Sequence, residues 1–179
     1  MIIKDKNKLQ EKCSPVSVKE GEEIGVRLLH ELRESNNGIG LAANQIGINK
    51  RVCVVICREP VVLINPEIVE KSEEQFVFAE GCLSFPGLWV KVNRPETIEV
   101  EYEDENGEKI QRELYGLQSR IFQHEYDHME GKNFTDGVSK LKLDLAKKKQ
   151  KKALIKAQIY KEQEEEREKQ MKFGQSLIV

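Results

Sequence analysis

The chain has 179 residues, 39% of them hydrophobic and 34% charged, and its formal net charge is −2. This length fits one well-packed domain. The sequence has no apolar run of about 18 residues, so we do not expect a membrane-spanning helix. The start of the chain, MIIKDKNKLQEK, lacks the apolar core of a secretory signal peptide, so the expected location is the cytoplasm.

The charge is unevenly divided along the chain. Residues 1–146 carry 19 basic and 26 acidic side chains, giving −7, whereas residues 147–179 carry 10 and 5, giving +5. We therefore expect one catalytic or binding domain, residues 1–146, followed by a charged, helical C-terminal tail, residues 147–179.

The first half of the chain predicts one helix and two strands. SVKEGEEIGVRLLHELRES (17–35) has apolar residues at helical spacing, and Ser17 can cap its start. A glycine-rich loop, NNGIGLAANQIG (36–47), follows. RVCVVIC (51–57) and VVLINP (61–66) indicate two strands, the second ended by Pro66. Cys53 and Cys57 are expected to be small core residues of the first strand.

The second half predicts a hairpin and two helices. TIEVEYEDENGEKIQREL (97–114) alternates apolar and polar residues on either side of Asn106-Gly107, which is typical of a hairpin turn. GLQSRIFQHEYDHMEG (116–131) predicts a helix with Gly131 at its C-terminal end, and helix-favouring residues continue from about Leu141. The expected fold class is α+β: mixed antiparallel strands packed around a central helix that carries an HExxH motif, with a C-terminal helical extension.

The segment QHEYDH (123–128) has the spacing of a metal site. On a helix, His124 and His128 project from one face with Glu125 beside them, which offers two imidazoles to a metal and a carboxylate to its water. A solvated helix that happens to hold two histidines is the alternative. A catalytic metal normally takes three protein ligands, so a third is required.

The third ligand does not follow the motif. Phe134 stands where one group of metalloenzymes has a third histidine, and the next glutamate after Glu130 lies in the charged tail. His30 is upstream, but it lies among charged residues of the first helix. Cys82 is the better candidate, since AEGCLSFPG (79–87) indicates a shaped loop, and a thiolate with two imidazoles suits iron(II), zinc, cobalt or nickel.

Three motifs together resemble a known family. GIGLAANQIG (38–47), EGCLS (80–84) and QHEYDH (123–128), in this order, resemble the signature motifs of peptide deformylase, over roughly residues 15–140. EGCLSFPG followed by RIFQHEYDH looks like the cyanobacterial and plastid branch. Peptide deformylases remove the N-formyl group from the starting methionine of new polypeptides and release formate.

The resemblance implies a role for each motif residue. Cys82, His124 and His128 would bind one divalent metal, with iron(II) expected physiologically and zinc, nickel or cobalt as replacements. Glu125 would accept the proton of the attacking water. The side-chain amide of Gln45 and the backbone N–H of Leu83 would receive the oxyanion.

The resemblance also implies contacts with the formyl-methionyl peptide. Ile39, Leu117 and Ile121 match the positions that line the methionine pocket, and they could equally be core residues. Gly40, like Gly38, would let its loop run close to the substrate backbone. Arg120 is expected either at the pocket rim or exposed on its helix.

The sequence departs from the common family pattern at two positions. Asn44 replaces the usual proline of the first motif, which loosens the loop before Gln45 and removes no catalytic group. Trp89 occupies a stretch in which some relatives carry an arginine that contacts the peptide, so recognition beyond methionine is left open.

The charged tail and the HExxH motif also allow other partners and functions. KKKQKK (147–152) could contact ribosomal RNA phosphate, although EQEEERE (162–168) follows and a solvated charged face is the alternative. Neither DNA nor a membrane is an expected partner. The alternative functions are a metallopeptidase with the same three ligands, and a non-catalytic metal-binding or RNA-binding domain.

Overall fold

The computed structural model describes residues 1–5, 7–35, 37–56 and 58–176, with side chains described as far as residue 167. Cys57 lies outside the described residues, so its predicted core role has no structural counterpart here. The helices and strands of the described residues are α1 (Val18–Glu34), β1 (Gly40–Ala42), β2 (Val52–Ile56), β3 (Pro60–Lys71), β4 (Gln75–Cys82), β5 (Phe85–Pro95), β6 (Thr97–Glu103), β7 (Lys109–Tyr115), α2 (Leu117–Met129) and α3 (Lys140–Ser176). None of these helices is both long and apolar enough to cross a membrane.

An antiparallel sheet in the order β1-β2-β3-β6-β7 forms the centre of the fold, and β4 and β5 form a second, two-stranded sheet. Successive residues of β2 point to opposite faces of the sheet. Val52 and Val54 pack against α1, whereas Cys53 and Val55 join the cluster that contains Phe122 of α2. The sheet is therefore covered on both faces, which explains the uninterrupted apolar run in β2.

Local signals in the sequence correctly predict several element ends. The Ser17 side chain accepts a hydrogen bond from the N–H of Glu20 at the start of α1. Strands β6 and β7 form the expected hairpin, with Gly107 at φ 79° in its turn. Gly131, at φ 69°, follows the end of α2, and its N–H bonds the carbonyl of His128. The mixed helix and antiparallel-strand class and the C-terminal helix are also confirmed.

Pro66 does not end its strand, which corrects the prediction. Strand β3 continues to Lys71, with a register shift against β6 between Ile64 and Glu67. Asn65 has a positive φ of 48°, and its side-chain amide bonds both the N–H and the carbonyl of Val16. The missing N–H of Pro66 falls within this irregularity, where the ladder is already interrupted, so the strand can continue.

The segment expected as a shaped loop, AEGCLSFPG, belongs instead to the long hairpin of β4 and β5. Cys82 is the last residue of β4 and pairs with Phe85 across a turn at Leu83 and Ser84. An antiparallel hairpin thus presents the cysteine at a tight turn. The alternation of apolar and polar residues along this hairpin is weak, because the apolar side chains of Phe78 and Trp89 are exposed.

Helix α3 begins at Lys140, before the predicted start of the tail. Its first turns pack on the second sheet, where Leu143 and Ala146 adjoin the buried cluster of Leu88, Val90 and Phe134. The proposed division at residues 146 and 147 therefore falls inside one continuous helix, and the functional independence of the tail remains a prediction.

Candidate metal centre

Three side chains from two elements converge on one point. Cys82 comes from the end of β4, and His124 and His128 come from one face of α2. Their ligand atoms all lie within 4.8 Å of one another, and Sγ of Cys82 is 3.2 Å from Nε2 of His128. Among the His, Cys, Asp and Glu side chains of the described residues, these three form the group that could hold a metal ion.

Glu80 fixes the orientation of His124. Its Oε2 lies 2.9 Å from Nδ1 of His124, and the same carboxylate accepts hydrogen bonds from Arg94 and Arg120. Burial opposes ionisation of Glu80, but the hydrogen bonds from His124 and Arg94 prevail and lower its pKa to about 2. A carboxylate bonded to Nδ1 leaves Nε2 for the metal, which is the usual way in which a ligand histidine is held.

Arg120 is buried, so the expectation of an exposed helix arginine is wrong. Only 3% of the residue is exposed. Its guanidinium donates to Oε1 of Glu80 at 2.6 Å, to the carbonyl of Val92 at 3.1 Å and to the carbonyl of Phe76, and it lies 4.8 Å from the centre of the Phe76 ring. The arginine thereby joins α2, which carries both histidines, to the β4–β5 hairpin that carries Cys82.

The pKa values of the two candidate histidines are shifted in opposite directions. Burial opposes charging of His124, but its hydrogen bonds to Cys82 and Glu80 raise its pKa to about 10. Burial, together with the proximity of His124 and Arg94, lowers the pKa of His128 well below its ordinary value. His128 is completely buried, and such a neutral imidazole is suited to binding a metal.

Glu125 is buried beside the three donors. Only 4% of it is exposed, and its Oε2 has no hydrogen-bond partner among the described residues. Burial raises its pKa to about 7, so this carboxyl can gain or lose a proton near neutral pH. A Cβ at Gly40 would lie 2.4 Å from Oε1 of Glu125, which explains why a glycine occupies that position.

Gln45 reaches the metal group from the other side of the site. It lies in a single turn of 3₁₀ helix, Ala43–Ile46, directly after β1. Its Oε1 accepts from the N–H of Ala42 at 2.9 Å, and its Nε2 donates to Sγ of Cys82 at 3.3 Å and to Oγ of Ser84 at 3.1 Å. The side-chain amide is therefore held with its donor end against the candidate metal ligands.

Asn44, where the family pattern has a proline, is buried and ties this loop to the metal-bearing helix. Its Nδ2 donates to the carbonyl of His128 at 2.6 Å. A proline could not make this bond because it has no side-chain donor. The substitution thus links the Gln45 loop directly to a candidate metal ligand, whereas the sequence indicated only a looser loop.

A cavity of about 510 Å³ opens beside this group. The predicted substrate residues line it, together with the predicted oxyanion residues and Trp89: Ile39, Gly40, Gln45, Leu83, Trp89, Leu117 and Ile121. Ile39 and Leu117 are about half exposed and Ile121 is buried. His30 is exposed on α1, away from the donors. Arg120, for which the pocket rim was one of two expectations, also lines this cavity. Glu80 and Arg94 were not predicted as site residues, although Glu80 lies in the quoted motif EGCLS.

Comparisons with known proteins point to a single family. The family model described as polypeptide deformylase matches residues 1–144. A peptide deformylase of Synechocystis sp. is 48% identical over 110 residues, covering 58% of this chain and 59% of that protein. One from Thermotoga sp. is 45% identical over 114 residues, covering 63% and 70%. The matched segment thus spans about three fifths of the length of the cyanobacterial relative.

Solved structures of peptide deformylases are similar to the whole fold. The enzyme of Synechococcus elongatus, in complex with actinonin, has a TM-score of 0.78 and 38% identity, covering 84% of each chain. Arabidopsis thaliana peptide deformylase 1B, in complex with an inhibitor, has a TM-score of 0.75 and 32% identity, covering 90% of this chain and 92% of that one. The chain belongs to the polypeptide deformylase family. The resemblance identified in the sequence, including its cyanobacterial relatives, is therefore confirmed.

Proposed function

We propose that this chain hydrolyses the formyl group from the N-terminal formyl-methionine of nascent polypeptides and releases formate. The observation that carries the proposal is the meeting of Cys82, His124 and His128 with the buried carboxylate of Glu125 at the wall of a cavity. Family membership supports the same reaction. A purely structural metal site would have no use for a buried carboxylate with a pKa of about 7.

The donor set fits one divalent metal ion. A thiolate and two imidazoles are three ligands, the number that catalytic sites provide while keeping one position open. Iron(II) is the ion that we expect physiologically, and zinc, nickel and cobalt suit the same ligands. When bound, such an ion would lower the pKa of a water molecule toward neutrality.

Glu125 would move the proton. Its carboxyl, raised to a pKa of about 7 by burial, can accept the proton of the attacking water and pass it to the leaving amine. The oxygen atom of the formyl group then carries negative charge. The Nε2 of Gln45 and the N–H of Leu83 would stabilise that charge, with the oxyanion taking the place of Ser84 Oγ as one acceptor of the amide.

The cavity would hold the methionine side chain. Ile39 and Leu117 lie at its more exposed part and Ile121 is buried, so an unbranched apolar side chain could enter between them. Strand β1, which begins at Gly40, is an edge of the five-stranded sheet. An extended peptide backbone can pair with such an edge, which would place the formyl group toward Glu125.

A formate-release assay tests the proposal directly. Protein purified anaerobically, with its metal content measured, should release formate from formyl-Met-Ala-Ser and should not cleave Met-Ala-Ser. Cleavage of the unformylated peptide would favour a metallopeptidase. Metal binding without hydrolysis of either peptide would favour a non-catalytic metal-binding domain.

The proposed substrate also suggests where and with what the protein acts. A formyl-methionyl nascent chain is available in the cytoplasm, which is the location that we propose. The five lysines of the segment 147–152 are exposed on α3, and contact with ribosomal RNA phosphate would bring the enzyme to its substrate. Co-sedimentation with ribosomes at low and high salt tests this contact.

A further inference from the structure

Helix α3 has one side on the body of the protein and another side that is exposed. Leu143, Ala146 and Gln150 are partly buried, and Nε2 of Gln150 donates to the carbonyl of Pro86 at 2.6 Å. These residues mark the side that faces the catalytic domain. The helix runs for 37 residues, far more than this contact requires.

A seam of six exposed residues follows the opposite side of the helix. We define the seam as Lys148, Lys152, Ile155, Ile159, Glu162 and Glu166. Their spacing alternates between four and three residues, which is the heptad spacing by which one helix packs on another. At about 100° per residue, the centre of the seam lies roughly 165° around the helix from the side that faces the body. Ile155 and Ile159 are 50% and 48% exposed.

The order of charges along the seam is self-complementary in one orientation. In an antiparallel pair with its twofold axis at Ala157, Lys148 of one helix falls opposite Glu166 of the other. Lys152 falls opposite Glu162, and the isoleucines of the two helices face each other between these ion pairs. The core positions of a heptad are called a and d. Each pair of facing residues then joins an a position of one helix to a d position of the other, as antiparallel helix pairs require.

Other arrangements of the same two helices are unfavourable. A parallel pair would set lysine against lysine and glutamate against glutamate, which is repulsive. An antiparallel pair displaced by one heptad would set both Lys148 and Lys152 against isoleucine side chains. The sequence therefore specifies both the direction and the register of the pairing.

We propose that two copies of this chain associate through the seam of α3, as an antiparallel helix pair with twofold symmetry. The interface is isologous, because the same six residues serve both copies. Burial of the four isoleucines supplies the apolar contribution, and the ion pairs set the register. No residue of the seam lines the cavity, so this association is independent of the proposed function, and it leaves Lys147 outside the seam.

Charge reversal tests the register. Sedimentation equilibrium of the full chain should show a monomer–dimer equilibrium that weakens as salt rises. The double variant Lys148→Glu/Lys152→Glu should weaken the dimer by about tenfold or more, because attraction becomes repulsion. Glu162→Lys/Glu166→Lys should do the same. An equimolar mixture of these two variants should form a heterodimer, and a chain with all four changes should dimerise as the parent does.

A matched variant controls for charge alone. Lys147→Glu/Lys161→Glu makes the same change in net charge as Lys148→Glu/Lys152→Glu, but at exposed positions outside the seam, and it should dimerise as the parent does. Far-UV circular dichroism should show unchanged helix content in every variant.

Two results would overturn the proposal. One is a parent chain that stays monomeric over the concentration range, and the other is failure of the two charge-reversed variants to associate with each other. If the parent is monomeric and its binding to ribosomes is lost in Lys148→Glu/Lys152→Glu, these lysines bind RNA instead.

Discussion

The buried carboxyl of Glu125 should lower the stability of the metal-free protein in a manner that depends on pH. Burial raises its pKa from 4.5 to about 7, and one pKa unit corresponds to about 1.4 kcal/mol. Below about pH 4.5, the group is protonated in both the folded and the unfolded chain. Between about pH 4.5 and pH 7, the unfolded chain gives up this proton while the folded chain keeps it. The free energy of unfolding therefore falls as the pH rises through this range, by about 3 kcal/mol in total.

The variant Glu125→Gln removes this titration. Its free energy of unfolding, relative to that of the parent, should therefore be about 2–3 kcal/mol higher at pH 8 than at pH 5. The new amide N–H lacks an acceptor and carries its own cost of about 1–3 kcal/mol, but that cost does not change with pH. The difference between the two pH values thus isolates the carboxyl.

Urea denaturation in the presence of a chelator, at pH 5 and pH 8, measures this difference. Glu22→Gln, on the exposed side of α1, is the control, and its effect on stability should be the same at both pH values. With metal restored, Glu125→Gln should lose about 10²–10⁴-fold in deformylation. An equal effect of Glu125→Gln at both pH values would show that burial does not perturb this carboxyl, and our account of it as a proton carrier near neutral pH would be refuted.

Further predictions concern the metal, the oxyanion, the fold and the tail. Cys82→Ala should abolish metal binding and activity, because two imidazoles hold the ion weakly, whereas His30→Ala should leave both unchanged by metal analysis and formate release. Gln45→Leu should keep the metal and lower kcat by about 10²-fold; an unchanged kcat would remove Gln45 from the mechanism. Gly131→Ala should destabilise the fold by about 1–3 kcal/mol in thermal unfolding, since its Cβ would lie 2.4 Å from the carbonyl oxygen of Gln10 and its φ is 69°. A chain ending at Ala146 should keep its activity on a short formyl peptide and lose co-sedimentation with ribosomes; a joint loss of melting temperature and activity would show instead that the tail is a structural strap.

The features that depend on neighbouring residues could be predicted from the sequence. The helical repeat alone sets His124 and His128 on one face with Glu125 beside them. The same is true of the Ser17 cap and of the hairpin turn at Gly107, because each depends on a few adjacent residues. The family resemblance then indicated Cys82 as the third ligand, and in the folded chain its Sγ lies 3.2 Å from Nε2 of His128.

The contacts between distant segments were decided only by the tertiary structure. The carboxylate of Glu80 bonds Arg94, Arg120 and His124, which lie 14, 40 and 44 residues away along the chain. No local pattern in the sequence predicts these contacts. The sequence therefore left Arg120 either at the pocket rim or exposed on its helix, and only the packing of α2 against the β4–β5 hairpin decides that it is buried at the cavity. Pro66 looked like the end of a strand because the sequence does not show the bulge that accommodates it. Helical spacing is a property of the chain itself, whereas burial and ion pairing depend on which surfaces meet when the chain folds.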